Sequence, residues 1–159
     1  MSFELTDSKV EVGSTAPDFS LLSQSGQMVN LKDFIGEKPV VLFFYPKDDT
    51  PGCTKQACAF RDDYEGFEKL DAEVIGISSD SVESHRRFAA KHDLPYTLLS
   101  DEERKLRKLY GVSNTLGLFP GRVTYVIDKK GIVRHVFSSQ LGAEKHVEQA
   151  LKSLRSINW

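Results

Sequence analysis

Val40-Val41-Leu42-Phe43-Phe44-Tyr45, followed directly by Pro46-Lys47-Asp48-Asp49-Thr50-Pro51-Gly52-Cys53-Thr54, is the stretch on which the fold turns. The apolar run is bracketed by Pro39 and Pro46 and leaves no polar face, the pattern of a strand covered on both sides in the middle of a sheet. Glu73-Val74-Ile75-Gly76-Ile77-Ser78 reads the same way. Arg122 to Ile127 and Ile132 to Phe137 flank the turn Asp128-Lys129-Lys130-Gly131, which predicts an antiparallel hairpin. Between the strands the apolar period becomes helical. Cys53, Ala57, Phe60, Tyr64 and Phe67 fall on one predicted helix face, and Val82, His85, Phe88, Ala89 and His92 on another. Ser100-Asp101-Glu102-Glu103 reads as a capping box opening a third helix that stops at Gly111, and Val147, Ala150, Leu151, Leu154 and Ile157 mark a fourth.

Strand, helix, strand, helix, hairpin and closing helix predict an α/β protein with a mixed central sheet and helices on both faces, for which a thioredoxin-like fold is the best match. The chain has 159 residues, the size of one domain, with no repeat, linker or low-complexity segment. Residues 1–9 are expected to be loose and 10–159 to form the domain. Lys plus Arg is 21 against 23 for Asp plus Glu, without long runs of either sign, which argues against a broad nucleic-acid-binding face. No apolar run approaches the ~20 residues that span a bilayer, and the acidic start lacks the regions of a secretory signal, so a soluble protein with no membrane partner is expected.

The two cysteines, Cys53 and Cys58, lie in one short stretch, a pattern that favours redox chemistry over a scaffold disulfide. A cysteine is more often a small buried apolar residue than a nucleophile. Cys53, however, falls in the first turn of the predicted longest helix, where unpaired N–H groups and the positive end of the helix dipole favour a thiolate. From a reference pKa of ~8.5 about 3% of a thiol is ionised at pH 7, and a fall to roughly 6 raises that fraction about thirtyfold.

The spacing of Pro46, Thr50 and Cys53 resembles the active-site pattern of the peroxiredoxins: Pro, three residues, Thr or Ser, two residues, Cys. Gly52-Cys53-Thr54-Lys55-Gln56-Ala57-Cys58 is similar to the PrxQ, or bacterioferritin-comigratory-protein, branch, and the likeness extends through Gly13 to Phe19, Phe60-Arg61-Asp62 and Pro120 to Asp128. Gln56 stands where many relatives carry Glu, a departure that removes no catalytic group. The resemblance implies a thioredoxin-dependent peroxidase acting on hydrogen peroxide and organic hydroperoxides. In it Cys53 is the peroxidatic cysteine, Thr50 supplies a hydroxyl to the peroxide or thiolate, Pro46 shields the site, and Arg122 stabilises the thiolate and the developing charge on the leaving oxygen. Cys58 is the resolving cysteine, forming an intramolecular disulfide that thioredoxin or a similar dithiol reduces. No cofactor is implied. The expected state is a monomer, with a weak dimer as the alternative, in a bacterial cytoplasm or, after removal of a transit peptide, a plastid.

Two other readings compete. A thiol-disulfide oxidoreductase is disfavoured because Cys-x4-Cys is not Cys-x-x-Cys, and a redox-sensing or holdase module would be oxidised stoichiometrically without turnover. Metal binding is not expected: His85, His92, His135 and His146 are scattered, and His85 and His92 read as boundary residues of a helix. Leu116-Gly117-Leu118-Phe119-Pro120 reads as an apolar loop open to core packing, a dimer contact or docking of a reductant, of which packing is favoured.

Overall fold

The computed structural model describes residues 10–112, 122–139 and 142–157. Its elements in chain order are β1 (Ser20–Leu22), β2 (Met28–Asn30), β3 (Val40–Phe44), α1 (Pro51–Asp62), α2 (Tyr64–Lys69), β4 (Glu73–Ser78), α3 (Val82–His92), β5 (Thr97–Ser100), α4 (Lys105–Tyr110), β6 (Val123–Ile127), β7 (Val133–Ser138) and α5 (Ala143–Ser156). The apolar run at Val40 is the central strand of a five-stranded sheet ordered β5-β4-β3-β6-β7. β4 runs parallel to β3 and β5, whereas β6 is antiparallel to both β3 and β7, which makes the sheet mixed as expected. A short β1–β2 hairpin forms a separate sheet.

Alternation along β3 builds two cores. Val41, Phe43 and Tyr45 face Cys53, Ala57 and Phe60 of α1, Phe88 of α3, and Val147, Ala150 and Leu154 of α5. Val40, Leu42 and Phe44 face the other way, against Leu106 and Tyr110 of α4 together with Phe19 and Leu31. Strands apolar on both sides are what this double covering requires.

Three expectations are corrected. The stripe from Cys53 to Phe67 is not one helix: it breaks at Asp63 (φ −101°, ψ 12°), where the chain turns into α2. Ser100-Asp101-Glu102-Glu103 is not a capping box, because Ser100 belongs to β5 and α4 begins only at Lys105, after Arg104 in a left-handed conformation. Asp101 still serves that helix, accepting from the backbone N–H groups of Leu106 (3.1 Å) and Arg107 (2.9 Å) across the turn. His85 is not a boundary residue but wholly buried. Residues 1–9 and the loop Leu116–Pro120 lie outside the described residues.

Gly76 explains how α1 is seated. It pairs with Phe43 on one side and Leu98 on the other, and a Cβ there would come within 2.7 Å of the Phe43 ring and 2.9 Å of Leu98. The missing side chain lets the Phe43 ring stack on Phe60 of α1 at 4.3 Å between centroids. Gly76→Ala is therefore expected to lower unfolding stability by about 1–3 kcal/mol through overpacking. Urea unfolding measures this; a change within about 0.5 kcal/mol would show that Phe43 has room to move.

Candidate active site

The chain leaves β3 at Tyr45, turns through Pro46 to Asp49, and enters α1 with Thr50 as N-cap and Pro51 at the first helical position. Proline suits that place because its absent N–H would have had no helical partner. Cys53 lies in the first turn and is buried, at 1% exposure. Cys58, farther along α1, is half-buried, and both thiols are free. Phe44 pairs with Val123 across the antiparallel β3–β6 ladder, so the end of β3 lies beside the start of β6 and Arg122 arrives where Cys53 sits.

Arg122 is 5% exposed. Its Nη2 lies 3.4 Å from Cys53 Sγ, while Nη1 donates to Gln56 Oε1. Gly52 makes the approach possible, since a Cβ there would stand 3.1 Å from Arg122 Nη2. Arg122 Nε and Gln56 Nε2 are buried without a hydrogen-bond partner among the described residues, leaving donors to spare close to the sulfur. Behind Arg122, His146 bonds Thr124 Oγ1 (2.8 Å) and the Ser139 carbonyl (2.9 Å). Burial, with a smaller opposing contribution from the Ser139 bond and a further push from Arg122, lowers its pKa to about 4. At neutral pH it adds no second positive charge against Arg122.

Thr50 Oγ1 donates to the Lys47 carbonyl at 2.9 Å, closing the loop on itself. Its single proton is thus held by the turn, and donation to an incoming molecule requires rotation away from Lys47. Pro46 is half-buried at the exit of β3. The structure therefore brings Cys53 and Arg122 together at the start of α1, with Thr50 and Pro46 in the loop leading to them and Cys58 farther along the helix.

Two residues have roles at the site that the sequence reading did not assign. Gln56 is the hydrogen-bond partner that orients Arg122, one helical turn after Cys53. Arg107, also buried, donates from Nη2 to the Tyr45 carbonyl at 2.9 Å, and its guanidinium lies over the Phe44 ring at 5.9 Å. Burial pulls its pKa below the usual range, and the charges of Asp101 and Cys53 act in the opposite direction.

A thiol at a helix start beside a buried guanidinium, with a second thiol on the same helix, is an arrangement suited to thiol redox chemistry. Residues 12–136 match the AhpC/TSA family. Peroxiredoxin Q, chloroplastic, of Sedum lineare is 58% identical over 150 residues, covering 94% of this chain and 80% of its own length. The protein of the same name in Triticum aestivum is 55% identical over 150 residues, with coverages of 94% and 69%. Among solved structures, peroxidoxin BcpB from Mycobacterium tuberculosis superposes with a TM-score of 0.87 at 39% identity, covering 94% of this chain and 99% of its own. Xanthomonas campestris peroxiredoxin Q gives 0.83 at 28% identity, with coverages of 92% and 96%.

The chain belongs to the AhpC/TSA family, with the thioredoxin-like fold of the peroxiredoxins. It is a thiol-dependent peroxidase of the PrxQ branch, with a peroxide as substrate and a thiol as reductant.

Arg122→Met keeps an apolar stem and removes the charged donor beside Cys53. Peroxide reduction is expected to slow by about 10²–10³, or about 3–4 kcal/mol. Stopped-flow kinetics measure this; a loss under about threefold would place Arg122 outside the chemistry.

Proposed function

We propose that Cys53 is the peroxidatic nucleophile and Cys58 the resolving thiol of a thioredoxin-dependent cycle. The observation that carries this reading is the 3.4 Å approach of Arg122 Nη2 to a buried Cys53 Sγ in the first turn of α1. Burial alone disfavours a thiolate, and a fixed cation with the unpaired N–H groups of the helix start offsets it. The thiolate attacks the outer peroxide oxygen, the O–O bond breaks, the sulfur gives up two electrons and becomes a sulfenic acid, and the leaving alkoxide or hydroxide takes a proton. Arg122 stabilises the charge on that oxygen, Thr50 supplies its hydroxyl once turned from Lys47, and Pro46 limits water. The Cys58 thiol then displaces hydroxide, which leaves as water, and a dithiol returns both cysteines to thiols.

The disulfide cannot close on intact α1. Five helical steps place the Cα atoms of residues 53 and 58 about 8–9 Å apart with side chains roughly 140° apart around the axis. A disulfide requires ~7 Å or less and converging Cβ atoms. The start of the helix must therefore unwind after oxidation. Its first two turns bury Cys53, Gln56 and Ala57, with no large apolar side chain, whereas the third is anchored by Phe60 on Phe43. The segment that has to open is the weakly packed one.

The Xanthomonas campestris bacterioferritin comigratory protein was solved in a study of its alkyl peroxide reduction, which supports organic hydroperoxides beside hydrogen peroxide as substrates here. The plant relatives named chloroplastic support a plastid location over the bacterial cytoplasm. We read the working unit as a monomer.

Cys53→Ser is expected to abolish peroxide consumption coupled to thioredoxin and its reductase, because a hydroxyl stays protonated at neutral pH. Cys58→Ser should consume one peroxide per chain, lose most cycling and become prone to overoxidation. Residual turnover above a few per cent in the first variant would make Cys58 the nucleophile, and unchanged cycling in the second would assign resolution to an outside thiol.

A further inference from the structure

Behind the loop that carries Pro46 and Thr50 lies a buried polar network that the chemistry at Cys53 does not use. Asp48 is 6% exposed. Its Oδ1 accepts from the Tyr45 hydroxyl at 2.6 Å, and its Oδ2 accepts from Ser84 Oγ at 2.8 Å and meets His85 Nδ1 at 2.7 Å. Its backbone N–H donates to Asp80 Oδ2 at 2.8 Å, a carboxylate that also takes the Ser78 hydroxyl at 2.6 Å. His85, wholly buried on α3, places Nε2 3.0 Å from the Leu99 carbonyl. A carbonyl only accepts, so Nε2 carries a proton and Nδ1 faces Asp48 across one more. Asp48, Asp80 and His85 are close enough together to hold a cation, but these hydrogen bonds already engage them, and the cluster is a clamp.

The next residue strengthens that geometry. Asp49 has φ 61°, in the left-handed region, and its carboxylate lies 3.4 Å from Lys91 Nζ and 3.8 Å from His92 Nε2, both on α3. Two successive carboxylates thus tie the loop to one helix. The loop then closes by Thr50 Oγ1 to the Lys47 carbonyl, and α1 begins with the Thr54 N–H to the Thr50 carbonyl at 2.8 Å.

We propose that Asp48 and His85 are positioning residues for the peroxidase reaction: their contact pins the Pro46–Thr50 loop to α3 and thereby sets the first turn of α1 that aims Cys53 at Arg122. The inference rests on the reading of Cys53 as nucleophile. Its physical basis is that the first two turns of α1 bring only small or polar side chains to the core, so packing holds the sulfur less firmly than it holds Phe60 in the third turn. A misplacement of ~1 Å at a reacting atom costs about 10²-fold in rate, which a loop anchor outside the chemistry is able to prevent.

Paired substitutions of His85 separate positioning from general support. His85→Asn presents an amide N–H where Nδ1 was, keeping the bond to Asp48 and losing the one to Leu99; His85→Gln does the reverse. Each deletes one buried hydrogen bond and the ring, so their losses of thermal stability should be similar. The rate of Cys53 oxidation by peroxide is expected to stay within about threefold of the parent in His85→Asn and to fall at least about tenfold in His85→Gln and Asp48→Asn, with alkylation of Cys53 by iodoacetamide slowed in parallel. Disulfide formation from the sulfenic acid should not slow. Ser84→Ala, which removes only one donor to Asp48, is the mild variant and should be about two- to fivefold slower. Equal rates in the two His85 variants, or parent-like oxidation and alkylation rates in Ser84→Ala, would overturn the proposal. Alkylation needs no turnover, so it reads the clamp even in a parent without peroxidase activity, a result that would count against the nucleophile assignment instead.

Discussion

The proposed chemistry depends on keeping a sulfur anion at Cys53, 1% exposed, next to a guanidinium that is itself buried. Neither group is comfortable alone, since an uncompensated buried charge costs several kcal/mol. The fold brings them together through one register: Phe44 opposite Val123, which makes the exit of β3 and the entry of β6 neighbours. Gln56 completes the arrangement by holding the other arm of Arg122, and Gly52 leaves the space in which the guanidinium lies.

The same arrangement divides α1 in two. From Phe60 onward the helix is bound into the aromatic core, with Phe60 also 5.6 Å from Phe67. Before it, the helix is held by polar contacts: Arg122 on Cys53 and Gln56, and the Tyr96 hydroxyl on the Ala57 carbonyl at 2.7 Å. In the proposed cycle, oxidation of Cys53 to an uncharged sulfenic acid removes the anion that Arg122 faces, which weakens the contact holding the first turns helical. A site that must be rigid for attack on peroxide and open for disulfide formation is served by a helix start fastened with electrostatics on a helix end fastened by packing.

What the sequence made legible was local. The strand at Val40, the hairpin around Asp128 to Gly131 and the placing of Cys53 at a helix start all follow from periods and turn residues within a few positions. Arg122 carried no local signal and came from the resemblance. The break at Asp63 was hidden because the apolar stripe continues across it into α2. Ser100 misled because a strand end and a helix cap favour the same residue types, while the cap in use, Asp101, reaches N–H groups five and six positions on. His85 looked like a boundary residue because its partner Asp48 is 37 positions away. Arg107 and Gln56 likewise acquire their roles only when separate elements meet.

The central claim is that the start of α1 is a folded platform in the reduced enzyme and an opened segment in the disulfide form. Amide hydrogen exchange across residues 53–60, recorded on the reduced chain and on the chain oxidised by one equivalent of peroxide, tests it most directly. Protection in the reduced form and rapid exchange after oxidation, with the Cys53–Cys58 bond verified by mass spectrometry, is the expected result. Equal protection in both forms with that bond present would contradict it, showing that the disulfide closes without unwinding the helix.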